Sequence, residues 1–172
     1  HADVYDEFMD RARVLMEAYR MGDPLDPTTT LGPLADASSL EGMARQVEDA
    51  CRRGASVVTG GSASQGRFFD ATLLAGCPND CEVMQEESFG PLLPVLRVES
   101  DDEALAHVND THFGLTASIW TVDPERAEWF AAGHEAGTIF QNRCDYLDPA
   151  LPWTGVRDSG KGSTLSRHGF HH

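Results

Sequence analysis

Along the first twenty residues, Tyr5, Phe8, Ala12, Leu15, Met16 and Tyr19 fall at three- and four-residue steps. That period predicts an amphipathic helix with one apolar stripe. Asp3 is the expected cap at its start, and Gly22 sits where such a helix ends. Positions 22–34 break the pattern with Pro24, Pro27 and Pro33, which predicts a loop. A second helix is expected from Ser38, whose spacing to Glu41 is that of a capping box. Met43, Val47, Ala50 and Cys51 form its predicted buried face, and Gly54 its end.

Beyond Gly54 the apolar residues come in short continuous runs. Strands are predicted at 56–59, 69–74, 92–98, 115–121 and 138–141, with Gly60 and Gly61 supplying a turn. Two helices intervene. Ser100 and Glu103 cap the first, which carries Ala104, Leu105 and Val108. Asp123 and Pro124 open the second, which carries Ala127, Trp129, Phe130 and Ala131. Helices alternating with short, nearly continuous apolar strands predict an α/β fold, a mostly parallel sheet flanked by helices. Positions 143–162 show neither period. A loop that long inside a domain is commonly functional, so it is the first place to look for a binding site.

Composition narrows the function classes. The chain has 172 residues, 41% of them apolar, and 16 glycines, which suits one domain with a packed core. Its net charge of −15 sets it against phosphate backbones and anionic lipid heads. Neither nucleic acid nor a membrane surface is therefore expected as a partner. No apolar run approaches the roughly eighteen residues of a membrane span. The first twenty residues lack a basic start followed by an apolar block. A cytoplasmic protein is expected, with Cys51, Cys77, Cys81 and Cys144 as reduced thiols.

Several motifs offer chemistry and withhold part of it. Gly155 to Gly162 approaches a phosphate-binding G-x-x-x-x-G-K-[ST] loop, but Gly162 stands where the Mg²⁺-binding hydroxyl belongs. The stretch also follows Pro152-Trp153-Thr154 and not a buried strand, so triphosphate binding is not expected. Cys77 and Cys81 have the spacing of half a zinc site, with no matching second pair beyond His168, His171 and His172 at the terminus. They read as a turn with two buried or half-buried thiols. Cys144, beside Arg143, is the better candidate for a reactive thiolate, against the ordinary alternative of a buried thiol. No spacing selects a Ser/His/Asp triad. Glu86 and Glu87 are neighbours whose side chains point apart in extended chain, so they are not an acid/base pair by adjacency alone.

The next four residues change the meaning of that carboxylate pair. Glu86-Glu87-Ser88-Phe89-Gly90-Pro91 resembles the E-E-x-F-G-P motif of the NAD(P)-dependent aldehyde dehydrogenase superfamily. Tyr5-Asp6-Glu7-Phe8 resembles its Y-D-E-F helix, and residues 22–34 its G-x-P-x-D-x-x-T-x-x-G-P loop. Residues 113–118 are similar to Y-G-L-x-A-x, and residues 137–142 to G-T-V-x-x-N. Residues 152–160 are similar to P-F-G-G-x-K-x-S-G, which accounts for the incomplete phosphate loop as the tail of another motif. The motifs occur in the family's order and span essentially the whole chain.

The resemblance implies oxidation of an aldehyde to a carboxylic acid. A cysteine thiolate adds to the carbonyl to give a thiohemiacetal. Hydride passes to NAD⁺ or NADP⁺, and water activated by a glutamate hydrolyses the thioester. It implies that Glu87 holds the nicotinamide ribose hydroxyls, as a carboxylate can accept from both, and that Phe89 packs near the nicotinamide. It also implies that residues 143–153 line the aldehyde tunnel, with Tyr146, Leu147 and Trp153 as its wall. Those side chains suit an apolar or aromatic aldehyde, whereas Arg143, Asp145 and Asp148 would read a polar tail.

The departures are as informative as the matches. None of the four cysteines matches the nucleophile's motif, which in the family lies just upstream of the Y-D-E-F helix. No catalytic residue is therefore assigned within the chain, and no metal. The general base, the oxyanion asparagine and the dinucleotide-binding domain would also lie upstream, and the final intersubunit strand would follow Phe170. Pro152-Trp153-Thr154 replaces P-F-G and reshapes the tunnel locally. Residues 1–172 thus read as a partial catalytic domain, truncated at both ends and inactive alone. A non-catalytic binding or assembly module retaining the fold is the alternative. A cut sheet leaves uncovered edges, so a homo-oligomer is expected.

Overall fold

The first apolar stripe becomes helix α1 (Ala2–Glu17), with Met9 and Ala12 buried and Tyr5 and Met16 packed beside them. Phe8 and Leu15, which the period put in the same stripe, stay exposed. The cap differs from the expected one. His1 Nδ1 accepts from the Asp3 backbone N–H, so Asp3 lies inside the first turn, where its charge suits the helix dipole. The helix also closes earlier than expected, at Ala18 and not at Gly22.

Helix α2 (Ser38–Arg52) buries Met43, Val47 and Ala50 as expected, but Cys51 is exposed. Gln46 and Asp49 take the remaining inward positions. Its N-terminus is satisfied by a residue two positions before the helix. Asp36 accepts from the Ser39 N–H at 2.9 Å and from both serine hydroxyls, so the expected Ser38/Glu41 box is not used.

Strands β1 (Ser56–Thr59), β2 (Ala63–Ser64), β3 (Phe68–Phe69) and β4 (Thr72–Ala75) follow, then a short helix α3 (Glu82–Gln85) and strand β5 (Leu92–Val95). The predicted strand 69–74 is split, because Phe68–Phe69 turns back to pair with β2 while Thr72–Ala75 enters the main sheet. Strand β4 is the centre of a three-stranded sheet, parallel to β5 and antiparallel to β1. Successive strand residues face opposite sides. Leu74 therefore joins Met43, Val47, Ala50, Phe69, Cys77 and Cys81 under α2, while Leu73 meets Met9 and Ala12 under α1. Two covered faces explain why β4 reads as a continuous apolar run.

The second part of the chain holds α4 (Asp101–Asn109), β6 (Phe113–Gly114), β7 (Thr116–Ile119), α5 (Pro124–Gly133) and β8 (Thr138–Gln141). Strands β7 and β8 are parallel with α5 as the crossover, the connection a parallel pair requires. Asp123 caps α5 by accepting from the Glu125 and Arg126 N–H groups, and Pro124 fills the first helical position. Ala127 and Phe130 are its buried positions, and Trp129 is largely exposed. The stretch expected to be irregular, 143–162, contains β9 (Trp153–Thr154) and β10 (Val156–Arg157), and it is followed by β11 (Ser163–Thr164) and a 3₁₀ turn, Arg167–Phe170. Antiparallel ladders join β10 to β6 and β11 to β9.

The structure is a computed structural model and describes residues 1–64, 66–144 and 146–170. The chain divides into two units, His1–Ser100 and Asp101–His172. The class is α/β, but the pairing is mixed where a mostly parallel sheet was expected: β4–β5 and β7–β8 are parallel, while β1–β4 in the three-stranded sheet and the two-residue ladders are antiparallel.

Candidate functional site

In the first unit the motif loop 86–91 leaves α3 and enters β5. Its inward groups are all fastened. The Ser88 hydroxyl donates to the side-chain oxygen of buried Gln46 at 2.7 Å. Gly90 lies so close to α2 that a Cβ there would collide with the Met43 sulfur. The Pro91 carbonyl accepts from the Thr72 N–H at 2.8 Å. A loop held on three sides presents what remains. Glu86 and Glu87 are exposed, and Phe89 is 84% exposed with a left-handed backbone, φ +45°. Such a conformation is costly for a non-glycine residue and persists only where the surroundings impose it. Among the described residues nothing hydrogen-bonds the Glu87 carboxylate, so both oxygens are free to accept.

Beneath the loop, Asp49 organises the α2–α3 junction. It accepts from the Glu82 N–H at 2.9 Å and pairs with Arg52 and Arg53. The Glu82 backbone bond, then the Arg53 hydrogen bond, hold its carboxyl below the usual range against partial burial. Cys77 and Cys81 flank this junction as fully buried thiols. Burial pushes Cys77 up to about 11 and Cys81 up as well, which keeps both protonated and unreactive at neutral pH. Their placement matches the expected turn with buried thiols, and no metal cluster forms among the described residues.

In the second unit, the loop after β8 starts from a defined position. Asn142 is left-handed, φ +54°. Its side chain accepts from the Thr121 N–H at 2.9 Å and donates to the Thr121 carbonyl at 2.8 Å. Ser118 on β7 donates to the Arg143 carbonyl at 2.7 Å. Two side-chain anchors on neighbouring chain thus set the direction of the loop. The Arg143 guanidinium then lies over the Tyr146 ring, 4.0 Å from its centroid. Cys144 is exposed and not buried. Tyr146 and Leu147 are about half exposed, and Trp153 is part-buried in β9. Asp148 is occupied locally, accepting from the Ala150 N–H at 2.9 Å. The remaining candidates, Asp145, His171 and His172, lie outside the described residues.

The incomplete phosphate loop is resolved by its neighbours. Residues 155–162 run from β9 through β10 and back into β11, so no helix N-terminus faces them. Ser159 instead accepts from the Gly114 N–H at 2.9 Å, and Arg157 donates to the Asn109 and Thr111 carbonyls and pairs with Glu135. This motif fastens the unit together. A separate groove of about 790 Å³ lies between residues 149–152 and 165–168, and Tyr146, Leu147 and Trp153 do not line it.

Sequence reasoning missed Gln46, Asn142 and Ser118 as supports of these loops. A polar residue at an inward helix position, Gln46 among Met43, Val47 and Ala50, was the available signal for the first. Asn142 closes the quoted G-T-V-x-x-N motif and Ser118 the quoted Y-G-L-x-A-x stretch, but neither motif says which backbone groups they hold.

The same fold recurs in solved structures. Succinate-semialdehyde dehydrogenase from Burkholderia pseudomallei superposes with a TM-score of 0.93 at 34% identity, over 98% of this chain and 35% of that one. Lactaldehyde dehydrogenase from Escherichia coli gives 0.92 at 34% identity, over 98% and 36%. The fold is therefore that of the oxidoreductases that act on aldehydes. The Aldehyde dehydrogenase family model matches residues 1–172, and the chain belongs to that family. It is 40% identical to succinate-semialdehyde dehydrogenase (NADP⁺) 1 of Mycobacterium tuberculosis and to an aldehyde dehydrogenase of Paenarthrobacter nicotinovorans. Each match covers 99% of this chain and 38% of the relative, so the chain spans well under half the length of the curated relatives it matches.

Proposed function

We propose that residues 1–172 are the C-terminal part of the catalytic domain of an NAD(P)⁺-dependent aldehyde dehydrogenase. In this reading the chain contributes cofactor-orienting and substrate-lining groups, and the nucleophile and general base come from sequence upstream of it. The observation that carries this is the fastened loop 86–91, which holds an unengaged carboxylate and an aromatic ring outward on rigid supports. When bound, the nicotinamide cofactor supplies the hydride acceptor. Glu87 fits it, because a free carboxylate accepts from two vicinal ribose hydroxyls. The Phe89 ring limits where the nicotinamide plane can lie. Tyr146, Leu147 and Trp153 form the apolar wall of the aldehyde site.

The test uses the full-length gene product, an aldehyde panel, and both NAD⁺ and NADP⁺. Glu87→Gln is expected to raise the cofactor KM about tenfold to a hundredfold, the loss of one charge-assisted contact. An unchanged cofactor KM overturns the role of Glu87. The 172-residue chain alone is expected to form no NADH. NADH formation that tracks the purified chain and disappears in Cys144→Ser would overturn the absence of a nucleophile.

Assembly into a homo-oligomer belongs to the same proposal. Strands β1 and β5 are the outer strands of the three-stranded sheet, and open edges favour pairing between chains. A monomer at high concentration in light scattering counts against it. Among the described residues no helix is long and apolar enough to cross a membrane.

A further inference from the structure

We propose that Gln46, buried in helix α2, is a positioning residue for the cofactor site, and that it acts on Glu87 and Phe89 through Ser88. The inference rests on the reading of Glu87 as the carboxylate that takes the nicotinamide ribose.

Three observations support it. The first is how little else fixes the chain at this point. The Glu86 N–H bonds back to the Glu82 carbonyl at 2.9 Å, and the Pro91 carbonyl is tied to Thr72. Between them, among the described residues, Glu87, Ser88 and Phe89 make no backbone hydrogen bond. Their anchor is the Ser88 hydroxyl, which donates to Gln46 Oε1 at 2.7 Å. Glu87 directly precedes that anchor and Phe89 directly follows it.

The second is where Gln46 sits. It is 4% exposed, on the face of α2 that otherwise buries Met43, Val47 and Ala50. A buried amide is unfavourable unless it is bonded, and an apolar side chain would fill the position without that demand. The bond that Gln46 accepts comes from the motif loop, 42 residues further along the chain.

The third is the bracketing of strain. Phe89 is left-handed, φ +45°. Ser88 before it is bonded to Gln46, and Gly90 after it lies against Met43. Met43 and Gln46 are at i and i+3, so one face of α2 holds both sides of the strained residue. A left-handed backbone at a non-glycine residue persists only while its surroundings impose it. Releasing the Ser88 bracket lets the loop relax, and Glu87 and Phe89 turn with it.

The experiment titrates the full-length gene product with NADH and NADPH by calorimetry in the absence of aldehyde, beside thermal melts and steady-state kinetics. Ser88→Ala is expected to weaken cofactor binding about threefold to tenfold and to raise the cofactor KM alike. The aldehyde KM is expected to stay as it is. Ser88→Thr keeps the hydroxyl and is expected to restore cofactor binding. Ser88→Ala with Gln46→Met removes the stranded amide, so this pair is expected to regain stability without regaining cofactor affinity. A role in the fold alone would return both together. In Glu87→Gln, which already lacks the carboxylate, adding Ser88→Ala is expected to weaken binding clearly less than Ser88→Ala does alone.

Cofactor affinity in Ser88→Ala within about twofold of the wild type overturns the inference. So does an affinity that recovers with the melting temperature in the double variant, or strict additivity with Glu87→Gln. In each case, weakened cofactor binding in Glu87→Gln alone leaves the proposed function standing. Cofactor affinity unchanged in Glu87→Gln overturns both the inference and the role of Glu87.

Discussion

The Ser88 hydroxyl and the buried Gln46 side chain meet at 2.7 Å, and this bond fastens the loop carrying Glu87 to helix α2. Removing one partner strands the other. Ser88→Ala leaves the Gln46 oxygen buried and unpaired, at an expected cost of about 1–3 kcal/mol in a denaturant melt. Replacing both groups removes the stranded atom, so Ser88→Ala with Gln46→Met is expected to lose clearly less than the two single losses added together. Strict additivity would show that the bond carries no coupling.

Gly137 and Gly42 separate two reasons for having glycine. A Cβ on Gly137 would overlap the Thr154 carbonyl oxygen, which is backbone and cannot step aside. Gly137→Ala is expected to cost more than about 3 kcal/mol or to prevent soluble expression. A Cβ on Gly42, inside α2, meets nothing within 4 Å. Gly42→Ala is expected to gain about 0.5–1 kcal/mol from helix propensity. Thermal melts of the two variants should move in opposite directions.

His134 gives the second unit an acid-sensitive point. Its Nδ1 donates to Asn109 Oδ1 at 2.9 Å, since that oxygen also accepts from the Glu135 N–H and is an acceptor to both. Burial first, then the Arg157 guanidinium, hold the imidazole below its ordinary value of 6.5. Glu135 pulls the other way, less strongly. The folded value lies below the unfolded one, so the neutral ring stabilises the fold above 6.5, and this stability is lost as pH falls through the folded value. Melts between about pH 7 and pH 5 should show the decline, with a shallower one in His134→Asn. A His134 titration midpoint at or above the ordinary value in NMR would refute the shift.

The four cysteines should divide into two classes under alkylation. Cys77 and Cys81 are fully buried, and Cys77 is pushed up to about 11. They are expected to resist iodoacetamide at neutral pH until the chain is unfolded. Cys51 and Cys144, both exposed, are expected to label in the folded chain. Peptide mapping with and without urea distinguishes the classes. The same shift makes a stability contribution that is complete below the ordinary thiol value of 9.0 and lost as pH rises toward 11.

Much of the fold was legible because period and punctuation are local. The helices at α1, α2, α4 and α5 and the strands β1, β5, β7 and β8 follow from apolar spacing, and Asp123-Pro124 opens α5 as its chemistry requires. The caps were less legible. His1 and Asp36 stand where Asp3 and Ser38 were expected, because any acceptor that reaches the first free N–H groups will serve. Cys51 lies exposed because inward room on α2 goes to Gln46 and Asp49, each needed by a distant partner. Of the candidate site, the motif residues Glu87 and Phe89 could be named as candidates, but Gln46, which holds their loop, could not.

The sequence alone determined the element types, the α/β class and the family, since periodicity and ordered motifs are properties of the chain itself. Only the tertiary structure decided which face of β4 takes Leu73 and which takes Leu74. It alone decided that β1 runs antiparallel to β4, that Ser88 meets Gln46 across the loop, and that Arg143 rests on Tyr146. The physical reason is that spacing tells a side chain whether to be inside or outside. Which partner it finds there depends on contacts between segments far apart in the chain, whose closure no local pattern records.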